Sequence, residues 1–233
     1  MVVSLVLIAV GLMLMSFFIY GKITHYSTVT TIIKTLTSLI FVAVVAYLFA
    51  YTSYQNIGVF MLVTLSLDVI GDVVLGVKRI FPKYNKLLTL FGLLFFGFGH
   101  LVFVIGLYIN FYVPGNVIAI ILPIVISLLC GASILVIEKV LKVSFKKLRL
   151  FVIFYFFFLS TLPTSSFALL AINGFNSSYL VSVFVGSVLF ELSDIILCRT
   201  YFGSNPTKIS LISCSIAYYF AQFLIAFSLF FLL

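Results

Sequence analysis

The chain has 233 residues, of which 64% are hydrophobic and 8% charged, far from the roughly 25% charged residues of an average soluble domain. That composition excludes a water-soluble globular fold. The net charge of +8 arises from thirteen basic and five acidic residues, and the basic ones fall in short turns between apolar runs, which leaves nucleic-acid binding without support.

Eight apolar runs approach or exceed the ~20 residues that a helix needs to cross a hydrocarbon core. They cover about 1–20, 35–52, 57–77, 87–109, 117–137, 150–172, 179–198 and 210–232. The connections are short, so the expectation is an all-α, polytopic membrane bundle forming one transmembrane domain over 1–233. The first run, "MVVSLVLIAVGLMLMSFFIYGK", lacks a basic leader and a small-residue cleavage site, and it is too long for a signal peptide. It reads as a retained first helix.

Charge placement orders these spans. Connection 1–2 holds Lys22 and Lys34, and connection 3–4 holds Lys78, Arg79, Lys83 and Lys86. Connection 5–6 holds Lys139, Lys142, Lys146, Lys147 and Arg149, and connection 7–8 holds Arg199 and Lys208. The connections around "SYQN", "NFYVPGN" and "NGFNSS" hold none. The positive-inside rule then puts the four basic connections in the cytoplasm and both termini on the opposite side. Such a collar also attracts anionic lipid headgroups. Cys130, Cys198 and Cys214 lie in or at the ends of spans without metal-ligand spacing, so they read as packing residues and no metal is expected. The sequon at Asn176 sits in a loop too short for a glycosyltransferase to reach.

The polar residues inside the spans carry the information. A charged side chain at mid-helix costs ~2.5–3.5 kcal/mol on insertion scales, so it faces the bundle interior and has a partner or a task. Four of the five acids occur in two spans: Asp68 and Asp72 in "SLDVIGDVVLG", and Glu191 and Asp194 in "GSVLFELSDIILC". Spacings of four and three residues put each pair on one helix face. Asp72 lies about five residues, ~7–8 Å, from the inner end of its span, and Asp194 is at a similar depth on a parallel span. The two are therefore placed to converge on one site.

"GDVVLGVKR" and "SDIILCRT" follow one pattern, compatible with two four-helix repeats related by an axis along the membrane normal. His100 lies near the middle of the fourth span, and Tyr218, Tyr219 and Gln222 lie in the inner half of the eighth. Such groups either hold helices together or support a site. Lys34, at the mouth of the second span, suits a phosphate or serves as an orientation charge. Pro163, among the hydroxyls of "STLPTSS", reads as a tolerated kink. On these residues alone a membrane enzyme and a proton-coupled transporter of lipids or small molecules fit about equally. A non-catalytic lipid-binding protein ranks third, because no basic side chain is expected at the depth of the acids.

Taken in order, "IKTLTS", "SLDVIGDVVL", "FGHLVFVIGLY", "GSVLFELSDIILC" and "AYYFAQFLI" resemble the YhhN-like lysoplasmalogenase family of eight-span membrane proteins over nearly the whole chain. The resemblance makes Asp72 and Asp194 the family's paired aspartates, His100 its histidine and Lys34 its lysine. It departs at Thr35, where the family pattern has proline, and Asp68 and Glu191 lie outside it. It implies cleavage of the vinyl ether of a lysoplasmalogen to a fatty aldehyde and glycerophosphocholine or glycerophosphoethanolamine, with no cofactor.

That chemistry suits carboxyl groups. A vinyl ether resists bases and nucleophiles but hydrolyses once an acid protonates its β-carbon. One carboxyl must then hold a proton while another stays ionised, as adjacent desolvated acids do. Asp72 and Asp194 are the expected pair, with the roles of acid and base unassigned between them. His100, Tyr218, Tyr219, Gln222, Glu191 and Asp68 are the expected supporting groups, and Lys34 the headgroup contact. The expected partners are the lysophospholipid substrate and membrane lipids, with oligomeric state open. The implied location is the endoplasmic reticulum in a eukaryote or the plasma membrane in a bacterium, with the site toward the cytoplasmic face.

Overall fold

The computed structural model describes residues 2–203 and 207–233. Its helices are α1 (Val2–Thr24), α2 (Thr28–Phe49), α3 (Gln55–Ile80), α4 (Asn85–Phe111), α5 (Ile118–Val140), α6 (Arg149–Ile172), α7 (Ser178–Phe202) and α8 (Lys208–Ser228). Among the described residues these eight are long and apolar enough to cross a membrane. In lipid each backbone polar group must be satisfied within its own segment, which is why long apolar runs become helices.

The ends differ from the apolar runs where polar caps extend a helix. The helix α2 begins at Thr28 rather than near residue 35. The Ser27 hydroxyl accepts the N–H of Thr30 at 3.4 Å, and the Thr30 hydroxyl accepts the N–H of Ser27 at 3.3 Å. This capping box satisfies two orphan donors. It moves Lys34 from a connection into the second turn of α2. Ser177 and Thr207 likewise cap α7 and α8. The C-terminal turns of α3 and α7 run on through Lys78, Arg79 and Arg199, where cations interact favourably with the helix dipole.

Helices α1, α2, α3, α4, α6, α7 and α8 pack each on the next, and α8 returns to α1 and α2, so the neighbours close on themselves. Helix α5 packs outside this ring, mainly on α6, and the Tyr108 hydroxyl of α4 donates to its Ala119 carbonyl at 2.5 Å. The core comes from the facing sides of α2, α3, α4, α7 and α8, with Phe41, Met61, Phe103, Leu107, Tyr179 and Ala221 fully buried. Helices alternate in direction, so the basic connections share one end of the bundle. Lys22, Lys34 and Arg79 line one cavity there, while Lys78, Lys86 and the lysines of the α5–α6 connection line another.

Helices α7 and α8 approach closely at Gly186. A Cβ there would stand 2.7 Å from Ile225 Cγ1 and 3.1 Å from the Ala221 carbonyl oxygen. At Gly97 the nearest atoms would be 3.8 and 3.9 Å away, an ordinary contact. Gly186→Ala must push α8 back, at a cost of roughly 1–3 kcal/mol. Thermal unfolding in detergent is expected to show a lowered midpoint for Gly186→Ala and a parental one for Gly97→Ala; equal midpoints would refute the close approach.

Candidate active site around Asp72 and Asp194

Three i,i+4 pairs interlock beneath the basic end of the bundle. Lys34 and Ser38 share a face of α2, Asp68 and Asp72 a face of α3, and Tyr218 and Gln222 a face of α8, as helical spacing dictates. Asp72 is 2% exposed. Its Oδ1 lies 2.7 Å from Lys34 Nζ, and that ammonium also donates to the Asp72 carbonyl at 3.2 Å. Its Oδ2 accepts the Ser38 hydroxyl at 2.5 Å and the Tyr218 hydroxyl at 2.7 Å. A buried charge is tolerated when it is paired and its remaining lone pairs are filled, and Asp72 meets both conditions. The geometry is that of a carboxylate. No basic side chain was expected at this depth; Lys34 reaches it because α2 starts at Ser27's cap.

Asp194 has different company. It is buried on α7, and the Tyr155 hydroxyl of α6 donates to its Oδ2. Among the described residues the ion pairs are Lys34–Asp72 and Arg149–Glu138, so no cation is paired with Asp194. Both aspartates lie eight residues before the end of their helices, about 12 Å at 1.5 Å per residue.

The two carboxyls line one cavity of about 50 Å3, together with Ser193, Tyr218 and Tyr219. A water needs roughly 10–15 Å3 of such space, so the cavity takes a few waters or the reacting portion of a larger molecule. Phe96 and Phe190 brace the Tyr218 ring edge-on, at centroid distances of 6.2 and 5.3 Å. Lys22, Lys34 and Arg79 also line the cavity. Lys22 is held by the Ser215 hydroxyl at 2.6 Å, and the Arg79 guanidinium lies 4.7 Å from the Tyr26 ring centroid. A void of about 20 Å3 touches Asp194, Leu197, Tyr155 and Leu93. An apolar cleft of about 80 Å3 between α4 and α6 shares Tyr155 and Leu93 with it. Tyr155 and Leu93 thus form a common wall between the α4–α6 cleft and the void at Asp194.

The other polar residues singled out in the sequence stand behind or beside this cavity rather than on it. Gln222 Nε2 donates to Asp68 Oδ2 at 2.8 Å and lies 3.5 Å from the Tyr218 hydroxyl. Asp68 Oδ1 and Gln222 Oε1 are both buried without a hydrogen-bond partner among the described residues. His100 is buried, with Nδ1 2.8 Å from the Phe96 carbonyl oxygen and its ring against Phe190. Glu191 faces α6, where it accepts the Ser160 hydroxyl. Tyr219, by contrast, lines the cavity, and its hydroxyl donates to the Lys34 carbonyl at 3.5 Å.

Four residues were not singled out individually from the sequence as site groups: Ser38, Tyr155, Lys22 and Arg79. The signal for Ser38 was its four-residue spacing from Lys34. Tyr155 carries none, lying in the aromatic run "FYFFF".

The model of the YhhN family matches residues 29–229. Comparison with curated proteins and with solved structures finds no match in either. The matched segment contains every residue of the interlocked set.

Removing one member of a buried ion pair strands the other, at roughly 3–5 kcal/mol. Lys34→Met is therefore expected to lower the unfolding midpoint sharply, and Lys34→Met with Asp72→Asn to lower it less than the sum of the two single changes. Strict additivity across this double-mutant cycle would contradict the pairing.

Proposed function

The chain belongs to the YhhN family, and from that premise we propose that it is a membrane-embedded lysoplasmalogenase. In this reading it hydrolyses the vinyl ether of 1-alkenyl-glycerophosphocholine or -ethanolamine, releasing a fatty aldehyde and the glycerophosphodiester. The observation that carries the proposal is the unequal partnering of two carboxyls on one cavity. Asp72 has a cation and two hydroxyl donors; Asp194 has a phenol.

That inequality supports a division of roles. Asp194, with no cation to hold it ionised, carries the proton and delivers it to the β-carbon of the alkenyl chain. The C=C π pair forms the new C–H bond, and the α-carbon becomes an oxocarbenium ion. The Asp72 carboxylate faces this cation across the cavity and orients the water that attacks it, as paired carboxyls do around the similar cation of glycoside hydrolysis. As the water adds, it gives up a proton that restores Asp194. The hemiacetal then collapses to aldehyde and alcohol. Tyr218 and Ser38 hold Asp72 in place, and Tyr155 does the same for Asp194.

The substrate has a matching outline. Its phosphate meets Lys22 and Arg79 at the basic end, since the Lys34 ammonium is committed to Asp72. Its single alkenyl tail follows the small spaces past Tyr155 into the α4–α6 cleft. The basic end faces the cytoplasm in this account, so the reacting bond lies just beneath the inner headgroups.

The test uses purified protein in liposomes, given a lysoplasmalogen and its saturated alkyl-ether analogue. Aldehyde is expected from the vinyl ether alone, with activity reduced about a hundredfold or more in folded Asp194→Asn and Asp72→Asn variants. Full activity in either variant would overturn its assigned role. Uptake of the lipid without aldehyde would replace the enzyme by a carrier.

A further inference from the structure

A second basic site lies at the same end of the bundle. Lys78, Lys86, Lys142, Lys146 and Lys147 line a bowl of about 470 Å3 between α3, α4, the α5–α6 connection and the end of α7, and among the described residues no acidic one lines it. Lys78 is 8% exposed. Its ammonium stands 3.3 Å from the centroid of the Tyr201 ring, which is its only partner among the described residues. A buried ammonium with no anion beside it is an unfinished arrangement, because a desolvated charge needs a counter-charge.

The connection that brings the other lysines is pinned rather than loose. Glu138 accepts the Phe145 N–H at 3.1 Å and pairs with Arg149 at 2.8 Å. The Phe145 ring is buried and packs edge-on against Phe202 at 4.9 Å, and the Ser144 N–H donates to the Phe202 carbonyl at 3.4 Å. Within this held segment Lys142 and Lys146 have φ of 51° and 48°. Glycine adopts that left-handed conformation freely and lysine does not. The chain thus keeps lysine at two positions where the backbone favours glycine, and both side chains reach the bowl. Orienting the protein in the membrane needs no such placement, since any flanking lysine serves that purpose.

We propose that this bowl binds a phosphate group, with Lys78 as its buried anchor and Lys142 and Lys146 as fixed contacts. Lysine ammonium groups gathered around one bowl are point charges of the kind that hold phosphate. The phosphate belongs either to the headgroup of an anionic membrane lipid or to a water-soluble phosphate. The site is separate from the carboxyl cavity, whose cations are Lys22, Lys34 and Arg79, and Tyr201 forms a wall of both. It stands whether or not the vinyl ether is the substrate.

The experiment follows the unfolding midpoint of the full chain in detergent, titrated with inorganic phosphate against chloride at equal ionic strength, and with phosphatidylglycerol against phosphatidylcholine. A saturable rise is expected with at least one phosphate probe over its control. A rise with inorganic phosphate assigns a soluble ligand, and a rise confined to phosphatidylglycerol assigns a lipid headgroup. The Lys142→Gly, Lys146→Gly double variant relieves both strained positions, so it should be at least as stable as the parent without ligand and yet lose the rise. Lys78→Met should weaken the apparent affinity about tenfold or more. No rise with either probe in the parent, or an undiminished rise in the glycine variant, would overturn the proposal.

Discussion

The contact between Lys34 and Asp72 is the constraint around which the polar interior is arranged. Neither charge is tolerable alone at that depth, because an ion stripped of water and unpaired is strongly disfavoured. Together they tie α2 to α3, and the Tyr218 hydroxyl on the same carboxylate adds α8. Gln222 extends the connection from Tyr218 to Asp68. A helix bundle in lipid gains little from apolar contact between its helices, since lipid tails are equally apolar. Polar ties of this kind therefore fix which helix faces meet.

The same contact makes the two aspartates of the cavity unlike. They have equal depth and nearly equal burial, so symmetry in the sequence would leave them interchangeable. Partner choice breaks the symmetry: an ammonium and two hydroxyls on one side, a phenol on the other. The proposed reaction needs such a difference, one carboxyl giving a proton to carbon while a negative charge stays opposite, and the Lys34 contact makes the two unlike. The cavity around them is small, and a separate void walled by Asp194 and Tyr155 lies between it and an apolar cleft, an arrangement that suits a mostly apolar molecule.

Much of this was legible in the sequence because membranes impose simple rules. Eight runs of sufficient apolar length became eight helices, and the distances of Asp72 and Asp194 from the ends of their spans put those two at one depth. What stayed hidden depended on local capping and on side-chain direction. Ser27 and Thr30 begin α2 before its apolar run does, and without that cap Lys34 reads as a loop charge rather than as the partner of Asp72. Tyr155 is one aromatic among many in α6, and only the packing of α6 against α7 shows which ring meets Asp194. Glu191 and Asp194 share a helix face by spacing, yet a rotation between neighbours sends one toward Ser160 and the other into the cavity. Spacing tells which residues travel together; it does not tell what waits for each.

The central claim is a charge state: Asp72 ionised against Lys34, and Asp194 protonated across the cavity from it. Infrared spectra of the purified protein, compared among the parent, Asp72→Asn and Asp194→Asn, read this directly through the carbonyl stretch of a protonated carboxyl. The expected result is a protonated-carboxyl component that disappears in Asp194→Asn and persists in Asp72→Asn. Its loss in Asp72→Asn and survival in Asp194→Asn would contradict the assignment.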